Sequence, residues 1–284
     1  MTDNRTMTFE TPRPAKLRIG IPSGRITLTA EETAVTRIEL SAPHGHASAL
    51  DWIAQAEFVQ AGDEIVVRGP RMGFSLFGFG GGIEATLHAP LGSDASLSIG
   101  AGRIETIGRL QKVSVNTGAG GVHVGDCAEV RANTGSGNIE IASVSGSVEA
   151  KTGAGTVRIG KVGADARITT AAGNARVEGV GGSAKLTTAH GNIEVGQAGD
   201  SLEAFTASGN VRVDRADHGY VRARTVSGGV SVGVASGVAA LLDLHTVSGR
   251  VRSELAASDA PVDGEQRVEL VLSTVSGNVN VARA

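Results

Sequence analysis

The segment KTGAGTVRIG (151–160) contains the residue types of a phosphate-binding loop. Lys151 could neutralise a phosphate group, and the backbone amides around Gly153 and Gly155 could cradle its oxygens. A P-loop, however, needs one glycine six residues before the lysine and another directly before it. Here Ala150 precedes Lys151, and the related segments TGAGG, TGSGN and TAAGN contain no lysine at all. The spacing therefore predicts a structural turn and no nucleotide site.

Histidine and serine are the other residues that could do chemistry. His44 and His46 could offer two metal ligands, but no cysteine or carboxylate stands at metal-site spacing from them. A nucleophile elbow needs a glycine two residues before its serine, and the repeated TVSG segments lack it (Ser227, Ser248, Ser276). We therefore predict no catalytic residues, no metal ligands and no cofactor.

Glycines that recur about every 18 residues dominate the chain, and a threonine stands three residues before nearly every one of them. The turn glycines are Gly102, Gly120, Gly137, Gly155, Gly173, Gly191, Gly209, Gly228, Gly249 and Gly277. The threonines are Thr117, Thr134, Thr152, Thr170, Thr188, Thr206, Thr225, Thr246 and Thr274. Repeats of this length are typical of proteins in which each unit packs only on its neighbours.

Apolar residues alternate with polar ones on both sides of each glycine. Val157 and Ile159 follow Gly155 at such positions, and Val148 and Ala150 precede it. This alternation predicts a half-buried strand on each side of the turn. One unit cannot bury its own apolar face, so we expect an all-β, single-stranded parallel β-helix (β-solenoid) with about 18 residues per coil. We expect each coil to pair with the one before it and the crossovers to be right-handed.

The domain prediction is a single β-solenoid over residues 1–284. Residues 96–284 carry the regular repeats, with a polar insertion near 256–266. Residues 1–95 are less regular, and we expect them to form N-terminal coils and a cap. Within them, 48–56 reads as a short helix and 56–70 as two strands joined by a turn.

Composition excludes several classes of function. The net charge is −3, with 26 basic and 29 acidic residues. The sequence has no block of basic residues interleaved with aromatic ones, so we expect no nucleic-acid-binding surface. Cys127 is the single cysteine, so neither a disulfide framework nor a thiolate metal cluster is expected. The sequence shows no apolar run of membrane-span length and no signal-peptide pattern at its start. We expect a cytoplasmic protein.

The segment MGFSLFGFGGG (72–82) concentrates apolar side chains in a glycine-rich setting. Its candidate contact residues are Phe74, Leu76, Phe77 and Phe79. One interpretation is a hydrophobic cap over the first coil, which we favour because soluble proteins seldom expose several rings together. The alternative is an exposed loop that docks a protein partner or makes a peripheral membrane contact through Phe74, Phe77 and Phe79.

A family resemblance rests on the repeat pattern of the coils and on the N-terminal segment. The coil segments are TGAGTVRIG, TTAHGNIEVG and HTVSGRVRSE, and the N-terminal segment is TFETPRPAKLRIGIPSGRI. The chain resembles a bacterial family of β-strand-repeat proteins of unknown function that bears the label "putative adhesin". The resemblance covers nearly the whole chain and implies a β-solenoid. It supplies no catalytic or ligand-binding residues.

The function predicted from these features is a non-enzymatic scaffold or protein-interaction module that could self-associate. Adhesin-like surface binding is the alternative, and a polysaccharide-acting solenoid enzyme is a further one. Outward polar side chains of both signs favour a protein partner over a polyanion. This predicted polar ladder consists of Glu105, His123, Glu140, Arg158, Arg176, Glu194, Arg212, Ser231 and Arg252.

Overall fold

The computed structural model describes residues 4–43, 46–70, 82–255 and 266–284. The chain forms two compact units, residues 1–143 and 144–284. Each unit is a β-helix whose coils pair in parallel, which confirms the predicted fold class. That the whole chain is a single domain stays a prediction.

The first unit combines one helix with the opening strands. They are β1 (Arg5–Glu10), β2 (Lys16–Glu31), β3 (Val35–Ser41), α1 (Ala47–Gln55), β4 (Glu57–Ala61), β5 (Glu64–Arg68), β6 (Ile83–Pro90), β7 (Asp94–Ile107), β8 (Leu110–Ala119) and β9 (Val122–Ser136). Strand β10 (Ile139–Val144) ends where the second unit begins.

The second unit contains two strands per coil, one on each side of a turn glycine. They are β11 (Val148–Ala154), β12 (Val157–Val162), β13 (Ala166–Ala172), β14 (Ala175–Val180), β15 (Ser183–His190), β16 (Ile193–Ala198), β17 (Ser201–Ser208), β18 (Val211–Ala216), β19 (Gly219–Ser227), β20 (Val230–Val234), β21 (Ala239–Ser248), β22 (Val251–Ser253), β23 (Arg267–Ser276) and β24 (Val279–Arg283).

The core of each unit consists of ladders of inward side chains. In the second unit Ile168 pairs with Leu186, and Leu186 pairs with Ala204, each 18 residues further along the chain. All three are buried. The predicted period-2 pattern therefore places apolar side chains on apolar side chains in successive coils.

The N-terminal part of the first unit, which we call the cap, combines parallel strands, antiparallel strands and a helix. Strands β5 and β6 both pair in parallel with β2, and β3 and β1 continue from β6 as antiparallel strands. The predicted helix is α1, and the predicted hairpin is β4–β5. Trp52 and Ile53 of α1 are buried, and Arg5 of β1 donates hydrogen bonds to the helix-end carbonyls of Ile53, Ala54 and Ala56. The guanidinium of Arg5 therefore donates to carbonyl groups at the C-terminal end of the helix.

The order of the last coils differs from the prediction. The coil β21–β22 does not pair with the coil before it, because β19 and β20 pair instead with β23 and β24. Strands β21 and β22 then pair on the other side of β23 and β24. The coil that is last in sequence is thus inserted between two earlier ones.

Inward side chains give the physical reason for this order. The inner coil presents Val279 and Val281, both buried, at its two inward positions after the turn. The outer coil has Val251 and Ser253 at the same two positions, and both are exposed. An inward serine costs less at the end of a stack than between two coils, where it would need a hydrogen-bond partner.

The turns explain why threonine recurs. The turn glycines have a φ near +145°, for example +148° at Gly191 and +151° at Gly209, a region in which side chains are strained. The hydroxyl of Thr206 donates to the carbonyl oxygen of Gly191 at 2.9 Å, and that of Thr225 donates to Gly209 at 2.9 Å. Thr206 and Thr225 therefore each satisfy a glycine carbonyl of a neighbouring coil.

Thr206→Val tests this contact. The change keeps the shape of the side chain but leaves the Gly191 carbonyl without its hydroxyl donor, so we expect the free energy of unfolding to fall by about 1–2 kcal/mol. Urea denaturation measures it. Thr170→Val is the matched control, because the buried Thr170 hydroxyl has no partner among the described atoms, and there we expect no loss. Equal losses at the two positions would contradict the role given to the hydroxyl.

Candidate interaction face

The residue two positions before each turn glycine points outward, and in successive coils these residues stack into a column. In the first unit the column contains Gly100, Gly118 and Gly135. In the second unit it contains Gly153, Ala171, Ala189, Ala207, Val226, Val275 and Val247 in stacking order. In the second unit the side chains thus enlarge from hydrogen to isopropyl along this order.

The glycine part of the column forms the floor of a shallow groove of 530 Å³ in the first unit. A Cβ at Gly118 would lie 2.6 Å from the carbonyl oxygen of Gly100, and one at Gly135 would lie 2.5 Å from that of Gly118. At these positions the backbones of neighbouring coils are therefore too close for any residue larger than glycine. Asn116 and Asn133 line the groove and are joined by a hydrogen bond of 3.1 Å.

The valine part is an exposed apolar surface. Val226, Val275 and Val247, which we call the valine ladder, are 46%, 48% and 83% exposed. The strand registers place Val275 between the other two, with about 4.8 Å between neighbouring strands. The threonine before each valine donates its hydroxyl to a glycine carbonyl, so a rigid backbone positions the ladder.

Charged side chains border the valine ladder. On the outward face of β19, Arg224 is the nearest outward residue to Val226, and Arg222 follows it. On β21, His245 is the nearest outward residue to Val247, and its Nε2 lies 2.6 Å from the Oδ1 of Asp243. An apolar strip with a charged rim is typical of a surface that contacts another protein.

In the segment with the phosphate-loop residue types, the lysine and one turn amide both have partners within the protein. Lys151 forms an ion pair with Glu149 on its own strand. The amide of Gly155 donates to the carbonyl of Ala172 at 2.8 Å in the neighbouring coil, and its φ is +141°. Lysine and amide are both engaged, which confirms that the segment is a structural turn.

Cys127 is buried, and burial, followed by the charge of Asp126, raises its pKa to about 12. The thiol therefore stays protonated near neutral pH and is no nucleophile.

The charged groups of the outward faces act mainly on one another: the hydrogen bond from Lys185 and its charge lower the pKa of Glu203. Within the described ranges no three His, Cys, Asp or Glu side chains are placed to hold a metal ion.

The predicted contact residues Phe74, Leu76, Phe77 and Phe79 lie outside the described residues, as does His44. The residues on either side of this segment are described. Pro70 follows β5, and a Cβ added at Gly82 would lie 3.3 Å from the Cα of Gly24. No described helix is long and apolar enough to cross a lipid bilayer.

The polar ladder is confirmed in part and corrected at its end. Arg158 pairs with Arg176, and Arg176 bonds to Glu194 at 3.1 Å. Ser231 and Arg252 are not neighbours, because Asn280 of the inserted coil lies between them. Sequence reasoning also missed the valine ladder, although valine in TVSG, where other coils have glycine or alanine, was the available signal.

The repeated glycine turns, inward threonines and parallel registers define a β-helix repeat protein. The chain belongs to the Toastrack DUF4097 family, whose model matches residues 15–282.

Two solved structures are similar over nearly their whole length. One, from Bacteroides fragilis, is described as a putative adhesin, with 12% identity, a TM-score of 0.39 and coverage of 99% of this chain and 97% of the other. The second, from Parabacteroides merdae, is also described as a putative adhesin, with 11% identity, a TM-score of 0.44 and coverage of 99% and 95%. Among curated proteins, none matches the sequence.

Proposed function

We propose that the protein is a non-enzymatic scaffold and interaction module that docks a protein partner through the valine ladder. The observation that carries the proposal is the exposure of Val226, Val275 and Val247 as a contiguous strip on a rigid backbone. Burying apolar surface of this kind is the main favourable term in protein association.

The chemistry of the partner follows from the rim. Arg222 and Arg224 lie on the same outward face of β19 as Val226. A partner segment with apolar side chains followed by a carboxylate would cover the valines and place its negative charge beside these guanidinium groups. The valine ladder therefore suits an apolar segment bordered by acidic residues.

A photo-crosslinking residue at position 275, introduced in the native host, tests this function. We expect a discrete adduct with another protein from Val275, because that side chain lies at the centre of the strip. The same crosslinker at Ala189 is the control, since it occupies the same column away from the valines. Equal labelling from both positions would contradict the proposal.

A combined Val226→Ser, Val275→Ser and Val247→Ser variant should abolish the adduct and retain the circular dichroism of the parent protein, because the three side chains lie outside the core. The adhesin-like alternative predicts a different location for the adduct, at the cell surface. Fractionation of the crosslinked cells separates the two roles.

A further inference from the structure

We propose that the outer edge of β21 pairs antiparallel with β21 of a second copy of this chain, about a twofold axis centred on Leu244. The inference deepens the proposed function, on which it rests, by naming one partner. Of the described strands, only β23 pairs with β21. The other edge of β21 therefore offers backbone groups for strand addition.

The backbone of β21 shows which groups face outward from the stack. The amide of Ala239 donates to the carbonyl of Gln266, so it faces the neighbouring coil. Successive residues of a parallel ladder alternate the direction of their amide and carbonyl groups. The groups of Leu242, Leu244 and Thr246 accordingly point to the outer edge.

The inward side chains of β21 are those expected of a strand with a missing neighbour. Leu242, Leu244 and Thr246 are only half-buried, whereas their partners Leu270, Leu272 and Thr274 on β23 are buried. On the outward face of the same strand Leu241 is 67% exposed. A second copy would cover both sets at once.

The charges of β21 select one register. When two antiparallel copies are centred on Leu244, Asp243 of each faces His245 of the other, and Leu241 of each faces Val247 of the other. A shift of two residues would instead oppose Asp243 to Asp243 or His245 to His245. Opposed like charges destabilise an antiparallel pair, and opposite charges and apolar pairs stabilise it.

The hydrogen-bond groups agree with the same register. Leu244 would face Leu244, and Leu242 would face Thr246 on both sides of the axis. These are the residues whose amides and carbonyls point to the outer edge, so the three pairs would each exchange two hydrogen bonds. The pairing is isologous, and the assembly closes at a dimer.

The test measures self-association by sedimentation and light scattering over a range of protein concentrations. We expect the parent protein to dimerise. Asp243→Lys and His245→Asp should each weaken the dimer by about tenfold or more, because each altered pair occurs twice about the axis. The double variant Asp243→Lys/His245→Asp should restore the dimer, because lysine would then face aspartate.

A matched control separates the edge from general surface charge. Lys185→Glu disrupts an exposed ion pair of 2.8 Å with Glu203 on the same outward face, away from β21, and should leave the dimer unchanged. A parent protein that stays monomeric at every concentration would overturn the inference, as would a double variant that stays as weak as the single ones.

Disulfide trapping tests the register directly. Leu244→Cys should crosslink to itself under mild oxidation, because directly opposed residues of this kind lie about 5.5 Å apart between Cα atoms. Leu242→Cys should not, because its opposite residue is Thr246. Native Cys127 is buried and does not interfere. Equal crosslinking of the two variants would overturn the register and with it the proposal.

The outcome is distinguishable from that for the proposed function. Crosslinking from Val275 is scored in the Asp243→Lys variant, in which the dimer is weakened and the valine ladder is intact. An adduct there without a dimer in the parent protein would refute only the twofold edge. A dimer without any adduct would refute the valine ladder as a docking surface for another protein.

Discussion

Gly120→Ala is expected to lower the free energy of unfolding of the first unit by about 3 kcal/mol or more. Gly120 has a φ of +136°, where an L side chain is strained. A Cβ at this position would also overlap the carbonyl oxygen of Gly102 in the neighbouring coil. Relief would require the two coils to move apart, which would break the backbone ladder around them.

The adjacent residue supplies the control. Gly121 has an ordinary φ, and a Cβ there would meet no atom within 4 Å. Gly121→Ala should therefore leave the stability unchanged or raise it slightly, because alanine restricts the unfolded chain more than glycine does. Thermal unfolding followed by circular dichroism compares the two variants. Similar losses from both would refute the steric account of the turn.

Trp52→Ala is expected to destabilise the first unit by about 3–5 kcal/mol, the usual range for removing a buried large aromatic side chain. Trp52 is buried under the cap, and Gly69 packs so closely on its ring that a Cβ at Gly69 would overlap it. The cavity would also loosen α1, whose last carbonyls are held by Arg5. Exposure of the strands beneath should promote aggregation on mild heating.

Urea denaturation measured by circular dichroism is the suitable method, because Trp52 is the single tryptophan and its fluorescence is lost in the variant. Val59→Ala is the control: Val59 lies on β4 of the same cap but is exposed, so its truncation should cost little. A loss at Trp52 no larger than the loss at Val59 would show that the cap does not depend on the tryptophan.

Both variants act on features that the sequence predicts to different degrees. The position of Gly120 follows from the 18-residue spacing alone, because a sharp turn recurs wherever the coil must turn. The contacts of Trp52 do not follow from it. A helix at 48–56 could be predicted from its residues, but the strand it covers and the arginine that holds its end come from distant parts of the chain.

The candidate interaction face was predictable only in its components. The repeated TVSG segments indicate three similar turns, and the outward position of each valine follows from the period of two. Val275 lies between Val226 and Val247. This placement depends on the order in which the coils stack, and that order differs from their order along the chain.

The amino-acid sequence by itself determined the all-β repeat fold, the turn positions and the inward residues, because these depend on local periodicity and on the tolerance of glycine for a positive φ. Tertiary structure decided the order of the last coils. The coils that contain Thr225, Thr246 and Thr274 share the same four-residue turn, TVSG. Any of the three could therefore pair in the same register with either of the others. The choice depends on burial: Val281 lies inside the stack and Ser253 lies at its end, which leaves β21 as the outer strand with Leu244 at its edge.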